Sequence, residues 1–253
     1  MDGSMSHLTR LVAQADAILI LSGAGISTAS GIPDFRGPNG IWKAERPVPF
    51  DEFLTNEQRR IASWEQKVRA AEVLRDARPN AVHVACVELE ASGKLEMVAT
   101  QNIDGLHAEA GTSPGRLVEL HGTGREAGCL SCGERTPIEP HLERFVATGT
   151  APTCAACGGL LKSATISFGQ ALDPLVLDRA HRAAERCDLV VALGTSLSVY
   201  PAADLPLTAV RRGIPYAIVN RGGTDHDTWT GVTVRIDGDV NEVFPQVVAA
   251  AIG

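Results

Sequence analysis

The chain has 253 residues, 44% of them apolar, and a formal net charge of −7 at pH 7, which is enough for a buried core in one large or two small domains. The acidic balance argues against a nucleic-acid partner, which calls for an excess of Lys and Arg, and suits a basic substrate tail. No apolar run reaches membrane-spanning length and His7 and Asp16 interrupt the N-terminal apolar positions, so neither a membrane partner nor a signal peptide is expected and the protein reads as cytoplasmic.

In chain order, residues 7–15 read as a short helix and Ile18 to Leu21 as a strand buried on both faces. The strand stops in Gly23-Ala24-Gly25, and a helix beginning near Ile26 would aim free N–H groups at a phosphate. This is not the ordinary dinucleotide fingerprint, because the third glycine falls on Thr28, and Gly-Lys-Ser/Thr is missing for a Walker loop. Asp34, Phe35 and Arg36 follow Pro33 and bring an acid, an aromatic face and a permanent cation. By itself the segment reads equally well as a tight turn with a solvated Asp/Arg pair.

Residues 37–49 read as an irregular cover, and residues 50–78 as one or two helices with Phe53, Leu54, Ile61, Trp64, Val68, Ala71 and Leu74 as a core stripe. Pro79 and Asn80 introduce a helix from Ala81 to Ala91. A strand from Leu95 to Ala99 ends in Gln101-Asn102-Ile103-Asp104, whose amide and carboxylate groups suit ribose hydroxyls or a carboxamide, or an Asx-type turn. A third apolar run, Leu117 to Leu120, delivers His121-Gly122 to the same edge.

Cys129-x2-Cys132 and Cys154-x2-Cys157 are separated by 21 residues, a pattern suited to a closed, structural four-thiolate Zn²⁺ site. A redox pair is the weaker alternative, since these knuckles sit between turns. Residues 125–162 hold four basic and four acidic residues, so the module lacks a basic face for DNA. Cys86 and Cys187 lie in apolar segments and read as small buried hydrophobes.

From Leu161 the α/β pattern resumes. Ala164 to Phe168 leads to Gly169-Gln170, residues 174–186 form a helix, and Leu189 to Leu193 is a strand ending in Gly194-Thr195-Ser196. A helix from Pro201 to Arg212, a strand from Tyr216 to Val219 ending in Asn220, a last strand from Thr233 to Ile236, Asp237-Gly238-Asp239-Val240 and a C-terminal helix complete the chain. Strand after strand thus ends in small or hydrogen-bonding residues. In a parallel sheet those ends share one edge and converge on an elongated, phosphate-containing ligand such as a dinucleotide.

These motifs together resemble the sirtuin family of NAD-dependent protein-lysine deacylases. The residues that carry the resemblance are Gly23 to Ser27, Ser30 to Gly37, Thr100 to His107, His121-Gly122, the four cysteines, Phe168-Gly169, Gly194 to Leu197 and Asn220, in family order. The resemblance implies an α/β fold with a Rossmann-like parallel sheet (residues 1–36, 79–121 and 163–253) and a smaller domain of a helical insert (37–78) and a zinc ribbon (122–162). It implies an NAD site from Gly23, Ala24, Gly25, Ser27, Thr28, Asp34, Phe35, Arg36, Trp42, Gln101, Asn102, Ile103, Asp104, Gly194, Thr195, Ser196, Asn220, Arg221 and Val240. Acyl-lysine proteins or peptides would lie against Ile166, Phe168, Gly169 and Val199. His121 would be the general base, supported by Asn102 and Asp104, and NAD would be consumed.

Two departures bear on the acyl group. The Tyr-x-x-Arg pair of the malonyl- and succinyl-preferring branch falls on Lys67 and Ala70, and Phe-Gly-Glu reads Phe168-Gly169-Gln170. Acetyl-lysine is therefore the expected substrate, with longer apolar acyl groups as the alternative; a dicarboxylic acyl group would lose its arginine clamp, for which Lys67 or Arg69 could substitute only in part, and ranks behind. The rival readings are a mono-ADP-ribosyltransferase, a non-enzymatic NAD or ADP-ribose sensor, and a zinc-ribbon nucleic-acid protein.

Overall fold

Four successive apolar residues at the start of Ile18–Ser22 leave neither face of that strand suited to water, and both faces are covered. Ile18 and Ile20 enter one core while Leu19 and Leu21 enter another. The structure is a computed structural model and describes residues 3–34 and 46–253. Phe35, Arg36 and Trp42, named above for the NAD site, lie outside the described residues.

The strands in chain order are Ile18–Ser22 (β1), Leu95–Thr100 (β2), Leu117–Glu119 (β3), Gly122–Cys129 (β4), Arg135–Pro137 (β5), Leu161–Thr165 (β6), Leu189–Leu193 (β7), Tyr216–Asn220 (β8) and Val234–Asp237 (β9). The α-helices are Gly3–Gln14 (α1), Phe50–Thr55 (α2), Glu57–Asp76 (α3), Ala81–Ala91 (α4), Leu106–Ala110 (α5), Glu139–Thr148 (α6), Pro174–Arg186 (α7), Asp204–Val210 (α8) and Val240–Ile252 (α9).

A six-stranded sheet runs β3-β2-β1-β7-β8-β9 with every pairing parallel. The chain steps outward from β1 to β3 and returns on the other flank of β1 through β7. That reversal opens a crevice at the carboxyl ends of β1 and β7, where open α/β sheets take ligands. Helices α1, α4 and α9 cover one face and α7 and α8 the other. Cys86 and Cys187 are both buried here as small apolar side chains.

The crevice closes at its base because two glycine backbones touch. Gly25 N donates to Gly194 O at 2.8 Å and Gly23 N to Leu193 O at 3.0 Å. A Cβ on Gly25 would stand 2.7 Å from Gly194 Cα, and Gly194 has φ +57°. The segment after Gly23 is a 3-10 helix, Ala24–Ser30, where a helix beginning near Ile26 was expected. Asn80 anchors it: its Nδ2 donates to Ile26 O at 2.7 Å and Ser30 Oγ at 2.8 Å, while its Oδ1 caps α4 through Val82 N at 3.0 Å.

β6 does not join the parallel sheet, as the expected resumption at Leu161 required. It pairs antiparallel with β4 in a three-stranded sheet, β5-β4-β6. Gly122 permits that approach, because a Cβ there would stand 2.1 Å from Ala164 O. The expected helical stripe divides at Asn56, which caps α3, and Leu54 is exposed where core was expected. Trp64 of α3 is buried with Ala127, Leu142, Phe145 and Leu161, with Ile61, Val68 and Ala71 against them, so α3 and the small sheet share one core. The helix expected from Pro201 begins at Asp204, after turns.

Gly25→Ala forces two backbones apart and is expected to cost about 1–3 kcal/mol. Thermal denaturation should show a midpoint lowered by at least about 2 °C, whereas Gly128→Ala, with nothing within 4 Å of its added Cβ, should melt as the parent does. Equal midpoints for the two variants would refute the close approach.

Candidate functional site

The crevice continues into a cavity of about 480 Å³ between the parallel sheet and the small sheet. Gly23, Ala24, Gly25 and Asp34 line it after β1, Gln101, Asn102 and Ile103 after β2, and His121 after β3. Gly194, Thr195, Ser196 and Val199 line it after β7, Asn220 and Arg221 after β8, and Ile166, Phe168 and Gly169 beyond β6. β1, β2, β3, β7 and β8 therefore deliver the residues after them to one space, whereas Asp237-Gly238 at the end of β9, expected at the same edge, does not line it.

Ser27 and Asp104 lie behind that wall and hold it. Asn102 Nδ2 donates to Gly23 O at 3.2 Å and to Ser27 Oγ at 3.0 Å, and Ser27 Oγ donates onward to Asp104 Oδ2 at 2.8 Å. Asp104 Oδ1 accepts from Leu106 N at 2.9 Å, which starts α5. The chain of donors has one direction, so the Asn102 amide is oriented with its nitrogen inward, and Oδ1 is the atom left for a ligand. Gln101 Nε2 donates to Thr195 Oγ1 at 2.9 Å and ties the β2 loop to the β7 loop.

His121 Nδ1 lies 3.0 Å from Gln101 O. A carbonyl oxygen only accepts, so the ring proton is on Nδ1 and the lone pair of the neutral ring is on Nε2. Burial lowers the His121 pKa from its ordinary value, and the bond to Gln101 opposes part of that effect. The ring is thus an uncharged base at neutral pH. Deeper in the fold, burial keeps His83 and His107 neutral as well, His107 being held down to about 3.

Thr28 lies beside Asn241, whose Nδ2 reaches Thr28 Oγ1 at 3.4 Å and Gly25 O at 3.5 Å. Val240 turns its side chain into the core next to Phe244 and Val247. Asn241, which the sequence reading passed over, is the polar residue there, and its buried Oδ1 has no partner. Lys162 was also passed over. It lines the cavity although it is only 4% exposed, and Lys67 of α3 lines it too. Asp34, Ser196 and Phe168 have interactions of their own.

The four knuckle cysteines gather at the far side of the small sheet. Their sulfurs all lie within 4.8 Å of one another, with Cys129 to Cys157 at 3.5 Å and Cys132 to Cys154 at 3.8 Å. A tetrahedral Zn²⁺ with Zn–S near about 2.3 Å separates its sulfurs by about 3.8 Å, so the cluster fits that ion. N–H donation from Cys132 and Ser131 pulls the Cys129 thiol down to about 6, toward the thiolate that a metal needs. Four protein thiolates close the coordination shell, so zinc bound here braces the sheet.

The model of the Sir2 family matches residues 23–201. An NAD-dependent protein deacetylase of Rhodopseudomonas palustris is 40% identical, covering 94% of each chain. NAD-dependent protein deacetylase 2 of Streptomyces coelicolor is 44% identical over 86% of this chain and 91% of its own. Among solved structures, a Sir2 His-to-Ala variant with a deacetylated p53 peptide and 3′-O-acetyl-ADP-ribose is similar at TM-score 0.85 and 36% identity, covering 96% of each chain.

Replacing Cys132 with Ala removes one thiolate. Zinc measured by plasma emission should fall from one ion per chain in the parent to well below that in the variant, with lower thermal stability. One ion per chain retained in the variant would mean that the four-thiolate assignment is wrong.

Proposed function

The chain belongs to the Sir2 family, and from that premise we propose that it is an NAD-dependent protein deacetylase that moves the acyl group of an acyl-lysine onto ADP-ribose, releasing nicotinamide and leaving O-acetyl-ADP-ribose. The observation that supports this most directly is the convergence of Gly23-Ala24-Gly25, Asn102, His121 and Gly194-Thr195-Ser196 on one cavity.

NAD takes the crevice, with its phosphates over Gly23-Ala24-Gly25 and Gly194-Thr195-Ser196, where glycines and small side chains permit backbone approach. Asn220 and Arg221 stand at the β8 end of the same trough. Nicotinamide lies toward Ile103, with the Asn102 carbonyl oxygen beside it. Asp104 contributes from behind, by fixing Ser27 and so the Asn102 amide. The acyl-lysine enters past Phe168, Gly169, Ile166 and Val199, and a peptide laid along these extended segments pairs with their backbone.

The acyl oxygen attacks C1′ of the ribose as the bond to nicotinamide breaks. His121 Nε2 then takes the proton of a ribose hydroxyl, whose oxygen attacks the imidate carbon. Water completes the release of free lysine, and the acyl group ends on ADP-ribose. NAD is consumed in each turnover. The net charge of −7 suits lysine-rich peptide partners and disfavours a nucleic acid. Among the described residues no helix is long and apolar enough to cross a membrane, and we place the protein in the cytoplasm.

Mass spectrometry after incubation with NAD and an acetyl-lysine peptide should find nicotinamide, O-acetyl-ADP-ribose and free-lysine peptide in equal amounts. ADP-ribose attached to protein would instead favour the transferase, and no NAD turnover would favour a sensor.

The base assignment makes a prediction about pH. His121 works as the neutral ring and its pKa is lowered by burial, so activity should be retained as pH falls to the ordinary histidine value of about 6.5 and be lost below it. His121→Ala should abolish deacetylation while NAD binding, followed by calorimetry, persists. Near-normal turnover in that variant would remove His121 from the role.

A further inference from the structure

β4 loses register with β6 part-way along its length. Gly122 faces Thr165 and Ala127 faces Ser163, so the residues between Gly122 and Ala127 are in excess over the partner strand. An irregularity of this kind re-aims the side chains it carries. Here it sets Gly124 and Arg125 against the loop that follows β2. Gly124 N donates to Ile103 O at 2.8 Å, and Arg125 Nε donates to Asp104 O at 2.8 Å. Neighbouring residues of the small sheet thus hold neighbouring carbonyls of the loop that carries Asn102.

The fit is built from both sides. Gly105 has φ +73°, and a Cβ there would stand 2.5 Å from Arg125 Nε and 3.0 Å from its Cδ, so the arginine occupies the space that a side chain would take. Arg125 N donates to Thr123 Oγ1 at 3.2 Å and its carbonyl accepts from Ile138 N at 3.0 Å, which fixes its backbone to the core that Trp64 shares. At its outer end Arg125 Nη2 pairs with Glu109 of α5 at 2.8 Å, where both side chains meet solvent. An exposed pair of that kind contributes little. The bond to Asp104 O has the larger consequence. Asp104 accepts from Ser27 Oγ and Leu106 N with its carboxylate and from Arg125 with its carbonyl, so the residue is held at side chain and main chain together. Ile103, just before it, lines the cavity, and Arg125 does not.

We propose that Arg125 is a positioning residue for the nicotinamide end of the cavity. Through Asp104 O it sets the place of Ile103 and, by way of Ser27, the orientation of Asn102, so that affinity for the nicotinamide half of NAD depends on a side chain of the small sheet. The inference rests on the deacetylase reading above and adds to it a residue that touches neither substrate. An arginine that only braced α5 would act through Glu109; one that shapes the pocket acts through Asp104. The two bonds can be removed separately.

The test is calorimetry with NAD and with ADP-ribose, which lacks nicotinamide, followed by kinetics with an acetyl-lysine peptide. Arg125→Met keeps the aliphatic stem and removes both bonds, whereas Glu109→Gln removes the ion pair alone. In Arg125→Met the ratio of the NAD Kd to the ADP-ribose Kd should rise about three- to tenfold, as loss of one orienting bond from a charged donor implies. KM for NAD should follow while KM for the peptide stays near the parent value, and Glu109→Gln should match the parent throughout. Arg125→Lys, with a single donor group on a flexible stem, should give an intermediate ratio, and it decides the matter should the Met variant fail to fold. An unchanged ratio, or equal weakening of NAD and ADP-ribose, would overturn the proposal, the second by making the role merely structural. The same rise in Glu109→Gln would overturn it too, by assigning the effect to α5. If the parent binds NAD but turns over no acetyl-lysine peptide, the deacetylase reading fails, and the ratio of the two dissociation constants still judges Arg125.

Discussion

The contact between Gly25 and Gly194 is the constraint on which the site depends. Two parallel strands that are neighbours in the sheet, β1 and β7, are far apart in sequence, and their following loops must diverge to opposite sides. With side chains at these positions the loops would be propped apart. With hydrogen in their place, Gly25 N reaches Gly194 O at 2.8 Å and the crevice acquires a floor made of backbone. Such a floor has no side-chain bulk at its glycines, so a pyrophosphate can approach the backbone closely, while the Gly23, Gly25 and Gly194 N–H groups are spent on holding the floor together. The same contact fixes where Gln101 and Thr195 meet, and so the span between the β2 and β7 loops.

Reactivity then follows from burial and from the direction of hydrogen bonds. Gln101 O accepts from His121 and leaves Nε2 as the basic atom, while burial keeps that atom unprotonated. Asn102 is oriented by giving its amide hydrogens to Gly23 and Ser27, and Ser27 can accept because it donates its own proton to Asp104. Reversing any one bond would present nitrogen where an acceptor is wanted. Asp104 therefore shapes the pocket without lining it. The carboxylate acts through two intermediates, each with a single allowed orientation.

The sequence made these strands legible because each is a short apolar run with an abrupt polar end. Ile18 to Leu21 and Leu189 to Leu193 are short apolar runs of the kind expected of strands buried on both faces, and in a parallel sheet the residues after them emerge at one edge. The helix Ala81 to Ala91 was legible from Asn80, whose cap the structure retains. β6 was not legible in this way. Its sequence, LKSAT, has no clean alternation, and its place is decided by pairing with β4 past Gly122. Asn241 was hidden for another reason: a residue's distance from Gly25 across the whole chain has no signature in local spacing. The 3-10 geometry after Gly23 is likewise imposed from outside, by Asn80 holding Ile26 O and Ser30 Oγ.

The small sheet serves the cavity through the same logic of support from behind. On its far side the four knuckle cysteines gather the turns that flank β4 and β6, and Trp64 locks α3 onto that sheet through Leu142, Phe145 and Leu161. Lys67 lies three residues beyond Trp64, close to one helical turn, so the packing that secures the helix also sets the height of the ammonium against β6. β6 meets β4 at Gly122, and Ile166 N donates to His121 O, which ties the end of the strand that carries Lys162 to the turn that carries His121. The placement of both ammonium groups in the cavity wall is consequently a property of the small module's core. A substitution at Trp64 or at the cysteines would move the two lysines relative to His121 without touching either.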